Sequence, residues 1–201
     1  MMEDQPGQAG VAPDWETIQR RTVETGGIVA TGEAVVLATV LGSCVSVCLY
    51  DTLRRVGGMN HFLLPGGEVG TGQQTRFGSY AMEKLIEDVL RLGGDRKRLR
   101  AKVFGGGRVL PGVTMQDLGG QNVQFALEFV ARESIPVVAR LVQLHQPVEV
   151  RFFPQTGRAM VRRLPLHGTQ AVVVNESSYQ RRLKEQLEAG RAAAGDGVEH
   201  R

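Results

Sequence analysis

Two side chains with the chemistry of a nucleophile and a base lie 17 residues apart in this 201-residue chain. Cys44 sits in Leu41-Gly-Ser-Cys-Val-Ser-Val-Cys-Leu-Tyr-Asp51, and His61 in Gly57-Gly-Met-Asn-His-Phe-Leu-Leu-Pro65. A free thiol, with a pKa of about 8.5, is mostly protonated at neutral pH, and a neighbouring imidazole raises its thiolate fraction. Such a pair is the working core of a cysteine hydrolase.

The local pattern offers a way to bring the two together. Val45, Val47 and Leu49 alternate with smaller or more polar residues, and 56–64 is a second apolar run, so both read as strands. A tight connection at Asp51–Arg54 would place Tyr50 opposite Arg55 and Cys44 opposite His61. Facing residues on antiparallel strands bring their Cβ atoms to roughly 4.5–5.5 Å on one face. A slip of one residue would separate them. Set against this, a cysteine in an apolar strand is usually an inert small hydrophobe, which is the reading for Cys48. A Cys44–Cys48 disulfide is disfavoured, because residues four apart on an extended strand are separated by roughly 13 Å. Two cysteines without a second cluster fall short of a structural zinc site.

The elements around this hairpin imply an α/β chain with a β-rich layered or sandwich-like core of mixed sheets flanked by two main helices. Strands are expected at 28–30, 34–40, 45–50, 56–64, 101–104, 137–141, 148–153 and 158–164. Met82, Leu85, Ile86, Val89 and Leu90 recur at the spacing of one helical face that stops at Gly93. A second helix is expected over 122–131, ending before Pro136. Residues 1–25 read as a flexible segment with a short helix near Trp15–Thr22, 26–170 as the folded domain, and 171–201 as a tail. That tail carries a charged helix at 177–189 whose apolar stripe is thin enough to require docking on the domain or on a partner. The Gly105–Gly107 triplet lacks the Gly-Lys-Ser/Thr continuation of a nucleotide loop and reads as a close-packed turn beside the cleft.

Taken together, the Cys44 and His61 strings resemble the signature of the CheD family, the chemoreceptor glutamine deamidases of bacterial chemotaxis. Further similar text follows in order: 76–85, Lys102–Gly107 and Leu118–Val123, with the resemblance extending over roughly 26–164. It implies Cys44 as the nucleophile, His61 as its base and a nearby hydroxyl as the third group. Thr39 is the candidate for that hydroxyl and Ser43 the alternative, while Ser43 and Cys44 also sit where backbone amides could receive an oxyanion. The resemblance further implies a thioester route from glutamine to glutamate without metal or organic cofactor, chemoreceptor cytoplasmic domains as substrates, and a CheC-type phosphatase as a partner; because a carboxamide is electronically close to a carboxylate methyl ester, a methylesterase side activity is expected as well. An alternative within the same resemblance is an adaptor with little or no catalysis. A thiol redox role is disfavoured, because Cys-x-x-x-Cys on a strand is not Cys-x-x-Cys at a helix start. The chain departs from the family pattern at Val142–Pro147, and His145 there, like His167 and His200, reads as a loop or tail residue.

Composition sets the remaining bounds. At 42% hydrophobic content the chain can bury one sizeable core. It carries no apolar run of about 18 residues and no basic-then-apolar leader, so neither membrane insertion nor secretion is expected. Two cysteines that cannot pair fit the cytoplasm. The net charge of +3 is mild. The Arg96-Lys97-Arg98 cluster with Arg100 lacks interleaved aromatics and reads as a solvated loop rather than a nucleic-acid site.

Overall fold

The computed structural model describes residues 18–64, 74–108, 117–165 and 170–195. Two sheets stack face to face, and two helices cover the outer face of one of them. The first sheet has the order β1–β3–β8–β9, formed by Arg20–Thr22 (β1), Val36–Leu41 (β3), Val148–Phe153 (β8) and Arg158–Arg163 (β9). The second has the order β2–β5–β4–β6–β7, formed by Ile28–Thr31 (β2), Val56–Asn60 (β5), Val45–Asp51 (β4), Arg100–Gly105 (β6) and Val137–Val142 (β7).

The two-residue period of β4 divides the core. Its odd positions Val45, Val47 and Leu49 pack under the helices with Met82, Leu85, Val89, Val123 and Phe129. Cys48 and Tyr50 at even positions, with Cys44 just ahead of the strand, face the other sheet and meet Leu37, Leu41, Met59, Val150 and Phe152. Burial on both faces explains why the β4 text is apolar nearly throughout. The layered mixed-sheet core flanked by two helices expected from the sequence is therefore present.

Helix Gln74–Arg91 (α1) buries Met82, Leu85, Ile86 and Val89 as the spacing predicts. Its end is marked by Gly93 and Gly94, whose amides return to the Leu90 and Val89 carbonyls. Helix Leu118–Arg132 (α2) starts four residues before the expected 122, because Asp117 caps it through the Gly120 amide. Two members of the basic cluster are paired locally: Arg98 with Asp51 and Asp95, and Arg96 with Glu133.

The chain ends differ from expectation. Arg20–Thr22, expected as the end of a short helix, forms β1 and pairs in parallel with Val36–Ala38, while Val23 beyond it is buried. The β-branched Thr22 and Val23 feed an open edge of β3, and sheet pairing overrides local helix preference. Trp15, His167 and His200 lie outside the described residues. The charged C-terminal text forms one helix, Gln170–Gly195 (α3), longer than the 177–189 expected. It docks on the domain: Leu183 is buried and Tyr179 packs against the inter-sheet core.

Candidate active site

Cys44 lies immediately before β4, and His61 immediately after β5. The register between the strands differs from the one expected. Asp51 pairs with Val56, Tyr50 with Gly57 and Cys48 with Met59, and Val45 and Phe62 exchange both backbone hydrogen bonds at 2.9 Å. Cys44 and His61 are thus not directly opposed. The reason is the turn: the Asp51 carboxylate accepts from the Leu53 and Arg54 amides, and Arg55 adopts φ +55°. Asp51 therefore stays in the strand and the turn comprises 52–55. A shift of two residues preserves side-chain faces where a shift of one would invert them. The thiol and the imidazole consequently remain on the inter-sheet face as diagonal neighbours, and Sγ, a ring nitrogen of His61 and a Glu176 oxygen all lie within 4.8 Å of one another.

Thr39 reaches this pair from the opposite sheet. It shares the inward face of β3 with Leu37 and Leu41, and its hydroxyl lies 2.8 Å from His61 Nδ1. The same hydroxyl lies 2.8 Å from the Val23 carbonyl oxygen, to which it must donate, since a carbonyl only accepts. Its one proton is thereby used, so it accepts from His61 Nδ1–H. The Val23 oxygen, 3.3 Å from Nδ1, demands the same proton. Nδ1–H is fixed by two acceptors, and the Nε2 lone pair is left available to accept a proton. Thr25 Oγ1 stands 3.5 Å from Nε2. Ser43, the alternative hydroxyl, turns away from the ring and donates to Glu176 at 2.6 Å.

The bend Gly42–Cys44 has its carbonyls tied back and its amides pointing out. The Gly107 amide donates to Gly42 O at 2.6 Å, the Asn122 side-chain amide to Ser43 O at 3.0 Å, and the Gly106 amide to Cys44 O at 2.7 Å. With three successive carbonyls held behind it, the bend presents three N–H groups forward, which makes a receptor for an anionic oxygen. The backing leaves no room for a side chain. Gly105 has φ +99°, and a Cβ on it would overlap the Cys44 carbonyl oxygen. Asn122 is buried and also accepts from the Leu64 amide at 2.8 Å, so one side chain ties the Cys44 bend to the segment after His61. The divergent stretch after β7 packs behind the triplet: the Gln143 amide donates to Gly105 O and the Arg108 amide to Leu144 O. His145 is exposed there, as a loop residue would be.

The amide receptor holds the carboxylate of Glu176, delivered by α3. One oxygen accepts from the amides of Gly42 at 2.9 Å and Cys44 at 3.2 Å, and the other from the Ser43 amide at 2.9 Å and its hydroxyl. Burial pushes the Cys44 thiol well above its ordinary value, and the Glu176 charge and its hydrogen bond push it further. Burial pulls His61 below its ordinary value, against the opposing pull of the Val23 carbonyl and Glu176. Both groups are therefore neutral at pH 7 with Glu176 in place. Cys48 is wholly buried in the inter-sheet core, as expected for packing. Cys44, His61 and Glu176 offer three ligand atoms within reach of one cation. The Glu176 oxygens, however, already accept from four N–H and O–H groups, whose positive ends would face that cation. The donor set suits an anion better.

Sequence reasoning missed Glu176 and Asn122. Glu176 is 132 positions from Cys44 on a helix of ordinary polar text, and carries no local signal. Asn122 had one, as a polar residue at the start of an apolar helical face.

A family model described as CheD chemotactic sensory transduction matches residues 63–163. A protein of Xanthomonas campestris pv. campestris, named as a probable chemoreceptor glutamine deamidase CheD, is 46% identical over 170 residues, covering 84% of this chain and 85% of the relative. The chain belongs to the CheD family. A Shewanella oneidensis relative, named as a probable chemoreceptor glutamine deamidase CheD 1, is 46% identical over 159 residues, covering 77% of each chain. Solved structures overlap more loosely. A Neisseria meningitidis protein of the DUF152 family aligns over 64% of this chain and 65% of its own at 11% identity with a TM-score of 0.39. The Bacillus licheniformis hypothetical protein YfiH aligns over 59% and 51% at 18% identity with a TM-score of 0.36. Among the described residues, no helix is long and apolar enough to cross a membrane.

Proposed function

We propose that this CheD-family chain is a protein-glutamine deamidase that converts glutamines of chemoreceptors to glutamate through a thioester on Cys44. The observation that carries this reading is the convergence of a thiol, an imidazole with its Nδ1 proton fixed, and three outward amides at one point. His61 Nε2 takes the Cys44 proton as sulfur attacks the side-chain carboxamide carbon. The carbonyl oxygen becomes an oxyanion where a Glu176 oxygen now lies, facing the Gly42 and Cys44 amides. Donors held there by the backbone need no reorganisation as charge develops. Collapse breaks the C–N bond, His61 returns the proton to the departing ammonia, and an acyl thioester remains. Water, deprotonated by neutral His61, then attacks the thioester and releases glutamate and the thiol.

Thr39 acts as a positioning residue throughout, keeping the ring in the tautomer that exposes Nε2. A carboxylate methyl ester presents a similar carbonyl, and methylesterase activity is proposed as a side reaction of the same cleft. The test is incubation of a chemoreceptor cytoplasmic fragment with the wild type and with Cys44→Ala. Glutamine-to-glutamate conversion by mass spectrometry and ammonia release are expected from the wild type alone. Conversion that persists in Cys44→Ala removes the nucleophile, and conversion by neither favours an adaptor that binds receptors or a CheC-type phosphatase.

A further inference from the structure

The carboxylate of Glu176 is chemically the product of the proposed reaction, a glutamate side chain, and it lies where that product would be released. Its two oxygens take all three amides of the Gly42–Cys44 bend and the Ser43 hydroxyl, within 4.8 Å of Cys44 Sγ and the His61 ring. A surface helix with a chance contact would not bury its carboxylate: Glu176 is 6% exposed, while its neighbours Val174, Asn175 and Ser177 are exposed. The dock is also shaped for this helix. Tyr179, one turn on, packs against the inter-sheet core and lies over Gly26, where a Cβ would collide with the phenol ring. Leu183, one further turn along, is 3% exposed. Glu176, Tyr179 and Leu183 thus form one stripe of α3, and that stripe closes the mouth of the site over a thiol with no exposed surface.

We propose that α3 is a tethered, product-like inhibitor of this chain's own active site, seated by Glu176 in the amide receptor, and that substrate is processed only when α3 leaves. The proposal rests on the deamidase reading for what α3 inhibits, though not for the occlusion itself. A carboxylate suits the receptor better than the carboxamide of a substrate, since a carboxamide NH2 would confront one of the outward N–H groups. The tether thus competes by charge as well as by local concentration.

Two readouts on the full-length chain separate the claims. The first is the alkylation rate of Cys44 by iodoacetamide, followed by peptide mapping, in wild type, Glu176→Ala and Tyr179→Ala. Wild type is expected to react slowly, Glu176→Ala at least about tenfold faster, the change that losing a single charge-assisted contact would bring, and Tyr179→Ala also faster as the packing that seats α3 is lost. The second is deamidation of a receptor fragment, with kcat/KM expected to rise in both variants. Unfolding temperatures taken alongside identify general unfolding, in which case the isosteric Glu176→Gln takes the place of the unfolded variant with the same expectations, and the surface-facing Ser177→Lys, which adds a charge on the exposed side of α3, is a control expected to match wild type in both assays. Alkylation unchanged in both folded variants overturns the proposal. So does faster alkylation when wild type deamidates measurably and the variants do so no faster, because α3 would then cover the site without restraining it. Faster alkylation with no deamidation by any form upholds the occlusion and defeats the deamidase reading.

Discussion

Replacing Thr39 by valine removes one oxygen from the interior and tests how the imidazole is held. Thr39 Oγ1 is the nearer of the two acceptors on His61 Nδ1–H, at 2.8 Å against 3.3 Å for the Val23 carbonyl, and it also satisfies that carbonyl as a donor. Valine leaves the ring N–H with the longer contact alone and strips the Val23 oxygen of its hydroxyl. All three groups are buried, so water does not readily replace the lost partner. Leaving a buried polar group short of a partner costs about 1–3 kcal/mol. If the loss falls on the step in which His61 becomes charged, kcat/KM drops by roughly 5- to 150-fold. The fall should lie in kcat with KM nearly unchanged, because Thr39 does not face the substrate. Steady-state deamidation kinetics on a receptor fragment read this directly, with Thr39→Ser as the variant that keeps the hydroxyl and recovers most of the rate. Wild-type kcat in Thr39→Val, or a Thr39→Ser enzyme as slow as the valine form, would refute the tautomer argument.

Other consequences can be measured independently. Gly105→Ala places a methyl group against the Cys44 carbonyl at φ +99° and should cost about 2–4 kcal/mol in urea unfolding, with deamidation reduced further as the bend turns. Asn122→Leu, which frees Ser43 O and the Leu64 amide, is expected to lower kcat by roughly tenfold or more at a stability cost of about 1–3 kcal/mol; equal stability and wild-type kcat would show that the tie is dispensable. His61 titrates below its ordinary value of 6.5 when folded because burial disfavours its cation. The unfolded chain therefore binds more protons in that window, and stability should fall as pH drops through and below about 6.5. The corresponding slope of unfolding free energy against pH should shrink in His61→Gln, and an unchanged slope would assign the acid sensitivity elsewhere.

How much the sequence disclosed depends on the range over which each feature is determined. The apolar face of α1 and the β4–β5 hairpin were legible because a few adjacent residues fix them. The hairpin register was not, since it turned on whether Asp51 belonged to the strand or the turn, and its contacts with the Leu53 and Arg54 amides are invisible to alternation. Cys44 and His61 nonetheless share a face, because the observed register differs from the expected one by an even number of residues. Thr39 came through family resemblance, and no local pattern would have found it, because it meets His61 across the gap between two sheets. Arg20–Thr22 became a strand because β3 offered an edge, a tertiary fact absent from the text. Glu176 was least accessible of all, since its meaning depends on where α3 docks.

The main-chain character of the anion receptor decides where substitutions are tolerated. Among the described residues, the Glu176 carboxylate is met by the Gly42, Ser43 and Cys44 amides, aimed by Gly106, Gly107 and Asn122 from behind, and by the Ser43 hydroxyl. Substitutions in front of the bend that leave these ties in place should therefore leave the geometry of the receptor intact. Its vulnerability lies on the hidden side, where one added methyl would do more damage than many substitutions at the front.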